Sequence, residues 1–283
     1  MADTQNLIWA QAYGANIMRL AQQKYSKLAG TVYVKPDVKG KTFFQDQIGA
    51  WSMETKGGRN TETPNNDPVL GRRMGIMVDF HDARLLDRGD ELRSISDPKS
   101  AYTIAAAQSL GRQIDEQIIR GALGLAYSGE TGATSVTNGN IILASAASMT
   151  LARVVAVKQQ LDAEDVDMED RFFVVTPAAL DNLLNQSTVT SSDYNSVKAL
   201  IRGEIDTWMG FKWIMSTRLA AVSASTLIGI AYQRYGLCMA MAAAPIVRTD
   251  ERPDLSYSWQ VYYELNMGVV RLEEDRVVIL NEG

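Results

Sequence analysis

Residues 97–125 read DPKSAYTIAAAQSLGRQIDEQIIRGALGL. Asp97 is a strong N-cap, and Pro98 occupies the first turn, where its missing N–H forfeits no hydrogen bond. Ile104, Ala107, Gly111, Ile114, Ile118, Gly121 and Leu125 step by three and four residues along one stripe, with Gln108, Arg112, Asp115, Glu116 and Arg120 on other faces. Such spacing makes one apolar face on a helix. About 28 residues at 1.5 Å each give a rod of roughly 40 Å, more than twice the average globular helix. Gly111 and Gly121 each cost about 1 kcal/mol relative to alanine. Their place on the apolar stripe predicts another backbone at close range. Arg112 and Glu116 are expected to form a weak ion pair one turn apart.

The sequence before this helix falls into two parts. Residues 5–30 hold no proline and put Leu7, Gly14, Met18, Ala21, Tyr25 and Leu28 at helical steps. They predict an N-terminal helix, packed on its own domain or docked as an arm on a neighbouring subunit. Residues 36–75 are punctuated by Pro36, Gly40, Gly49, Gly57, Gly58, Pro64, Pro68 and Gly71, too many turn formers for helix. Thr42-Phe43-Phe44 and Arg72–Phe80 flank this stretch. In the second run Met74, Ile76, Val78 and Phe80 alternate with other residues as in a half-buried strand. A long, two-stranded extended loop is expected, a feature that in compact domains is usually functional or disordered.

After the helix, Tyr127–Asn140 reads as a Gly/Ser/Thr-rich connector. A helix over Thr150–Leu161, with Leu151, Val154, Val155 and Leu161 inward, precedes an acidic turn at 164–170 and a strand at Phe172–Val175. Thr176-Pro177 opens another helix through Leu180, Leu183 and Leu184. A loop at 189–196, a short helix at 197–205 and strands at Phe211–Met215 and Thr226–Ala231 follow. This alternation implies a mixed sheet with helices packed on it. The end of the chain, from Ser256 to Leu280 with a break at Glu273-Glu274-Asp275, reads as antiparallel strands rich in aromatic and β-branched residues. The class is α+β.

Composition excludes much chemistry. The chain has 283 residues, 46% hydrophobic and 22% charged, with one cysteine and one histidine. That composition is ordinary for a folded protein. A single cysteine forms no internal disulfide, and His81 with Cys238 cannot supply a zinc site. Cys238 reads as a small buried hydrophobe. The net charge of −5 disfavours general binding to nucleic acid, which needs a basic face. No signal peptide and no window of about 18 apolar residues is present. No phosphate loop, dinucleotide fingerprint or nucleophile elbow is complete. Counting from Asp165, the acidic run 165–170 lacks the glycine and the terminal carboxylate of a calcium loop. Asp79, His81 and Asp82 are the one local group from which a small metal- or phosphate-dependent enzyme could be built. Arg72, Arg73, Arg84 and Arg88 are modest basic clusters that suit phosphate or the acids of a partner subunit.

Two segments carry a resemblance. Gly111-Arg112-Gln113-Ile114-Asp115-Glu116-Gln117-Ile118-Ile119 resembles the core of the spine helix of tailed-bacteriophage major capsid proteins. Ser258–Tyr262, Gly268-Val269-Val270-Arg271-Leu272 and Arg276–Ile279 resemble that family's closing strands. The resemblance implies the Johnson fold: an N-terminal arm (1–35), an extended loop (36–80), a peripheral domain (81–135, spine helix about 97–127), an axial domain (136–244) and a return to peripheral strands (245–283). It implies no enzyme and no cofactor, but hexamers and pentamers closing an icosahedral head around double-stranded DNA. Partners implied are a separate scaffolding protein (the arm starting close to Met1), a portal protein, a possible decoration protein and DNA in weak non-specific contact, with no membrane. Assembly is expected in the host cytoplasm. Expected inter-subunit contacts are Phe43, Phe44, Trp51, Lys56 and Arg59 on the loop, Leu7, Met18 and Tyr25 on the arm, and the four arginines. Some members crosslink a lysine to an asparagine, but no acid catalyst matches Lys56, so no crosslink is expected. An encapsulin-like nanocompartment shell is the alternative.

Overall fold

A computed structural model describes residues 22–63, 65–87, 98–144, 149–184, 207–222 and 227–282. Leu7, Met18, Arg88, Asp97 and the expected helix at 197–205 lie outside the described residues. Along the chain come strands β1 (Tyr33–Lys35), β2 (Thr42–Ile48), β3 (Leu70–Ile76) and β4 (Val78–Leu86), then helix α1 (Pro98–Leu123). Next are β5 (Ala126–Ser128), β6 (Thr134–Val136), β7 (Ile141–Ala144), α2 (Leu151–Ala163), β8 (Arg171–Val175) and α3 (Pro177–Leu184). The remainder is β9 (Thr207–Trp208), β10 (Phe211–Met215), α4 (Arg218–Val222), β11 (Leu227–Gln233), β12 (Leu237–Met241), β13 (Ile246–Arg252), β14 (Ser258–Arg271) and β15 (Val277–Glu282).

The 14-residue β14 organises the first sheet. β13 and β12 pair antiparallel with its two halves in succession, β4 runs antiparallel along its other edge, and β1 adds parallel to β12. Because strand side chains alternate, this sheet has two distinct faces. Leu265 and Met267, with Leu237 and Met239 of β12, meet Leu110, Ile114 and Ile118 of α1. Val270, with Cys238 and Ala240, meets Phe43, Val38, Met77 and Ala126. The long helix therefore lies on one face and the base of the extended hairpin on the other. The second sheet runs β7-β15-β11-β8-β10-β9. Tyr232, Ile230, Val174 and Ile279 join the core under α1, while Phe173, Val175, Val278 and Leu280 face α2 and α3.

The close approaches expected at two helix glycines are present. A Cβ at Gly121 would stand 2.8 Å from Val269 Cβ, and one at Gly111 would stand 2.8 Å from the backbone nitrogen of Ser26. Other expectations need correction. Ile104 is 39% exposed and Leu125, beyond the helix, 54%. The buried face of α1 runs instead through Leu110, Ile114, Ile118 and Ala122, with Asp115 and Ile119 beside them. Arg112 and Glu116 take other partners: Arg112 donates to Gln22 and Glu116 pairs with Arg218. The N-terminal helix does not extend to residue 28. Residues 22–28 are irregular, and the N–H groups of Lys27 and Leu28 turn to Asp115 rather than to a helical carbonyl. In α2, Val157 is buried and Val155 exposed. The 127–140 connector contains the β5–β6 hairpin, which extends β3. No described helix is long and apolar enough to cross a membrane.

Candidate assembly surface

The β2–β3 ribbon has an inner and an outer face. Antiparallel pairing sets Phe43 opposite Gly75, Gln45 opposite Arg73 and Gln47 opposite Gly71 on the inner side. Phe43 is buried in the core, and a side chain at Gly75 would overlap its ring. Arg73 donates from Nε to the Leu272 carbonyl at 2.9 Å and from Nη2 to Glu274 at 2.5 Å. Gln47 donates to the same carbonyl at 2.9 Å. Gly268 on β14 lets the hairpin sit this close, since a Cβ there would overlap the Ile76 carbonyl. Phe43 and Arg73 are thus occupied within their own subunit.

The alternate positions face outward. Ile48 and Leu70, directly paired, are 66% and 72% exposed, and Ile76 is 48% exposed. This reverses the side expected for the Met74–Ile76–Val78 pattern: Arg73, Gly75 and Met77 turn inward. Arg72 pairs with Asp46 at 2.6 Å and lies over the Phe44 ring at 5.5 Å. Its guanidinium holds the Asp46 carboxyl below the ordinary range. Past Ile48, the Gly49 N–H donates to the Val69 carbonyl at 2.8 Å. From Ala50 to Leu70 every described residue is exposed, including Trp51, Met53, Lys56, Arg59 and Val69. Asn60 turns the chain with φ of 66°, a conformation asparagine tolerates.

Behind the ribbon is a buried polar cluster. Arg271, fully buried, donates to the carbonyls of Ala122 and Gly124 at 2.9 Å each and of Val136 at 3.0 Å. It pairs weakly with Glu274, at 3.4 Å. A cation at the last carbonyls of a helix is favourably placed against the helix dipole. Burial lowers the guanidinium pKa from its ordinary value, while Glu274 acts to raise it. Arg271 and Arg73 share Glu274, so one carboxylate ties the end of α1, the ribbon and the turn before β15 together.

The other expected positions are scattered. Tyr25, 80% exposed, stands where the N-terminal segment reaches α1. Arg84 forms an exposed ion pair with Asp82 at 3.0 Å. His81 shares one face of β4 with Asp79, while Asp82 lies on the other, where Tyr263 donates to it at 2.6 Å. Asp79 accepts from Asn266. The three line one surface pocket with Gln113 and Tyr263, but among the described residues no three metal-ligating side chains group closely enough to hold a metal ion. In the acidic turn Asp170 pairs with Lys212 at 2.6 Å and with Arg234 at 3.2 Å. Residues missed by pattern reading are Asp115, Arg271 and Glu274. The one signal for Asp115 was its spacing, four residues after Gly111 and three before Ile118.

The model of the phage capsid protein family matches residues 5–282. No sequence match is found among curated proteins. Solved structures share the fold. The capsid of cyanophage P-SCSP1u is 15% identical with a TM-score of 0.75, covering 99% of this chain and 94% of that one. Mycobacterium phage Che8 is 16% identical with a TM-score of 0.73, covering 95% and 96%. The capsid of a native gene transfer agent particle is 14% identical with a TM-score of 0.68, covering all of both chains.

Proposed function

The chain belongs to the phage capsid protein family, and from that membership we propose how its copies close a shell. It is a major capsid protein of the Johnson fold, whose copies associate into the capsomers of a virion's icosahedral head. Residues 1–35 serve as the arm and 36–80 as the extended loop. Residues 81–135 and 245–283 form the peripheral domain, and 136–244 the axial domain. The observation that carries the loop's role is the two-faced ribbon: an inner face fixed by Phe43, Arg73 and Gln47, and an outer face and tip displaying Ile48, Trp51, Met53, Val69 and Leu70. Laid on a neighbouring copy, each large apolar side chain gains about 1.5–3 kcal/mol when fully covered. The described residues among 50–70 use almost none of their surface within their own subunit, which suits a segment completed by another chain.

A scaffolding protein and a portal protein, with an optional decoration protein, are the further partners, and assembly takes place in the host cytoplasm. The net charge of −5 suits a wall that encloses DNA with only weak contact. The family match supports this reading over an encapsulin-like shell and over an enzyme built on Asp79, His81 and Asp82. The test is the pair Trp51→Asp and Leu70→Asp. Both sites are surface, so subunit stability should stay within about 0.5 kcal/mol, while sedimentation shows capsomers or subunits that do not close. Shells of wild-type size and yield would refute the loop's role.

A further inference from the structure

Residues 22–31 form a strap across α1 that the loop reading does not use. Asp115 is fully buried, and its carboxylate gathers the strap. It accepts from Gln23 Nε2 at 2.5 Å, Ser26 Oγ at 2.6 Å, and the backbone N–H groups of Lys27 and Leu28 at 3.1 Å. One turn earlier Gly111 makes the approach possible: a Cβ there would lie 2.8 Å from the Ser26 nitrogen and 3.1 Å from the Tyr25 carbonyl carbon. Arg112 donates to Gln22 at 2.7 Å and Lys27 Nζ to the Met215 carbonyl at 2.8 Å. Downstream, Thr31 Oγ1 lies 2.6 Å from the Tyr232 hydroxyl, and Arg234 donates to the Gly30 carbonyl at 2.9 Å.

An irregular segment has no ladder to satisfy its backbone, and buried N–H groups need partners. A carboxylate can accept several donors at once. Asp115 therefore does more than fill a core position: a one-residue slip of the strap would strip Lys27 and Leu28 from the same oxygen. We infer that Asp115 is the positioning residue of the N-terminal arm. Its carboxylate clasps residues 23–28 against the middle of the spine helix and so fixes the register at which the arm joins that helix. The assembly half of this inference rests on the reading of residues 1–35 as an arm.

The experiment uses the full chain with Asp115→Ala, Asp115→Asn, Gly111→Ala and the arm variant Leu7→Asp/Met18→Asp. Hydrogen exchange is read in peptides covering 23–28, and shell yield at an equal margin below each variant's Tm. Asp115→Ala should raise strap exchange at least tenfold while β8 and β11 stay at the wild-type level. Asp115→Asn, which keeps one acceptor oxygen, should fall between. Gly111→Ala should loosen the strap although alanine favours helix, which keeps the test open if Asp115→Ala does not fold. Shell yield should drop at least fivefold in Asp115→Ala and drop no further when Asp115→Ala is added to the arm variant. Strap exchange within twofold of wild type overturns the clasp. Full yield from a loosened strap, or losses that multiply with those of the arm variant, overturns the positioning role. An arm variant that assembles normally removes the arm reading and the assembly role with it, while exchange still decides the anchoring.

Discussion

Replacing Arg271 with methionine should cost the subunit about 3–5 kcal/mol. Methionine keeps much of the aliphatic stem's packing and removes the guanidinium. Three carbonyls then lose their donor: Ala122 and Gly124 at the end of α1, and Val136 on β6. Hydrogen bonds to a charged group contribute about 1.5–3 kcal/mol each, and the cost of burying the cation offsets part of their sum. Removing one partner from a buried ionic cluster typically destabilises by about 3–5 kcal/mol, and Glu274 retains Arg73. At roughly 2 °C per kcal/mol, the low end for chains of 150–250 residues, Tm should fall by about 6–10 °C. The assay is thermal and urea unfolding of unassembled subunits, followed by tryptophan fluorescence. Arg84→Met is the control, because its ion pair with Asp82 is exposed and such pairs contribute about 0–1 kcal/mol. Arg271→Met unfolding within about 1 kcal/mol of wild type would show that the cluster does not hold the helix end to the ribbon.

Gly121→Ala should destabilise by about 1–2 kcal/mol despite a gain of about 1 kcal/mol in helix propensity, since overpacking against Val269 typically costs about 1–3 kcal/mol; Val269→Ala should rescue it partly in urea melts. Acid should weaken the fold through Asp170, whose carboxyl is held below its ordinary value chiefly by the hydrogen bond from Lys212. A depressed folded pKa gives stability that is present above the unfolded value, about 3.9, and is lost as pH falls through the folded one. Asp170→Asn should therefore lower the urea midpoint at pH 7 and reduce its fall between pH 4 and 3; an unchanged fall would rule out this ion pair as a contributor.

How far the fold was legible depends on what each residue's partners were. Helix α1, α3 after Thr176-Pro177 and the long β14 follow from caps, spacing and β-branched runs, which are local. The Gly111 and Gly121 approaches were readable because glycine on an apolar stripe has a steric meaning at the position itself. The facing of β3 was not readable. Met74 and Ile76 look like an inward side, yet Arg73 turns in because Glu274 and the Leu272 carbonyl, about 200 residues away, receive it. Exposed apolar residues on that strand make sense only when a second copy is counted among the partners. Asp115 shows the same limit, since a carboxylate in a helix reads as solvent-facing until the strap's N–H groups are seen to converge on it.

The central claim, that this chain builds a shell from copies of itself, is tested most directly by electron microscopy of the purified protein at rising concentration, alone and with a scaffolding protein. The account predicts closed icosahedral shells whose walls show rings of six and five, with the extended hairpin of one subunit lying on the next. A chain that remains monomeric under both conditions would contradict it.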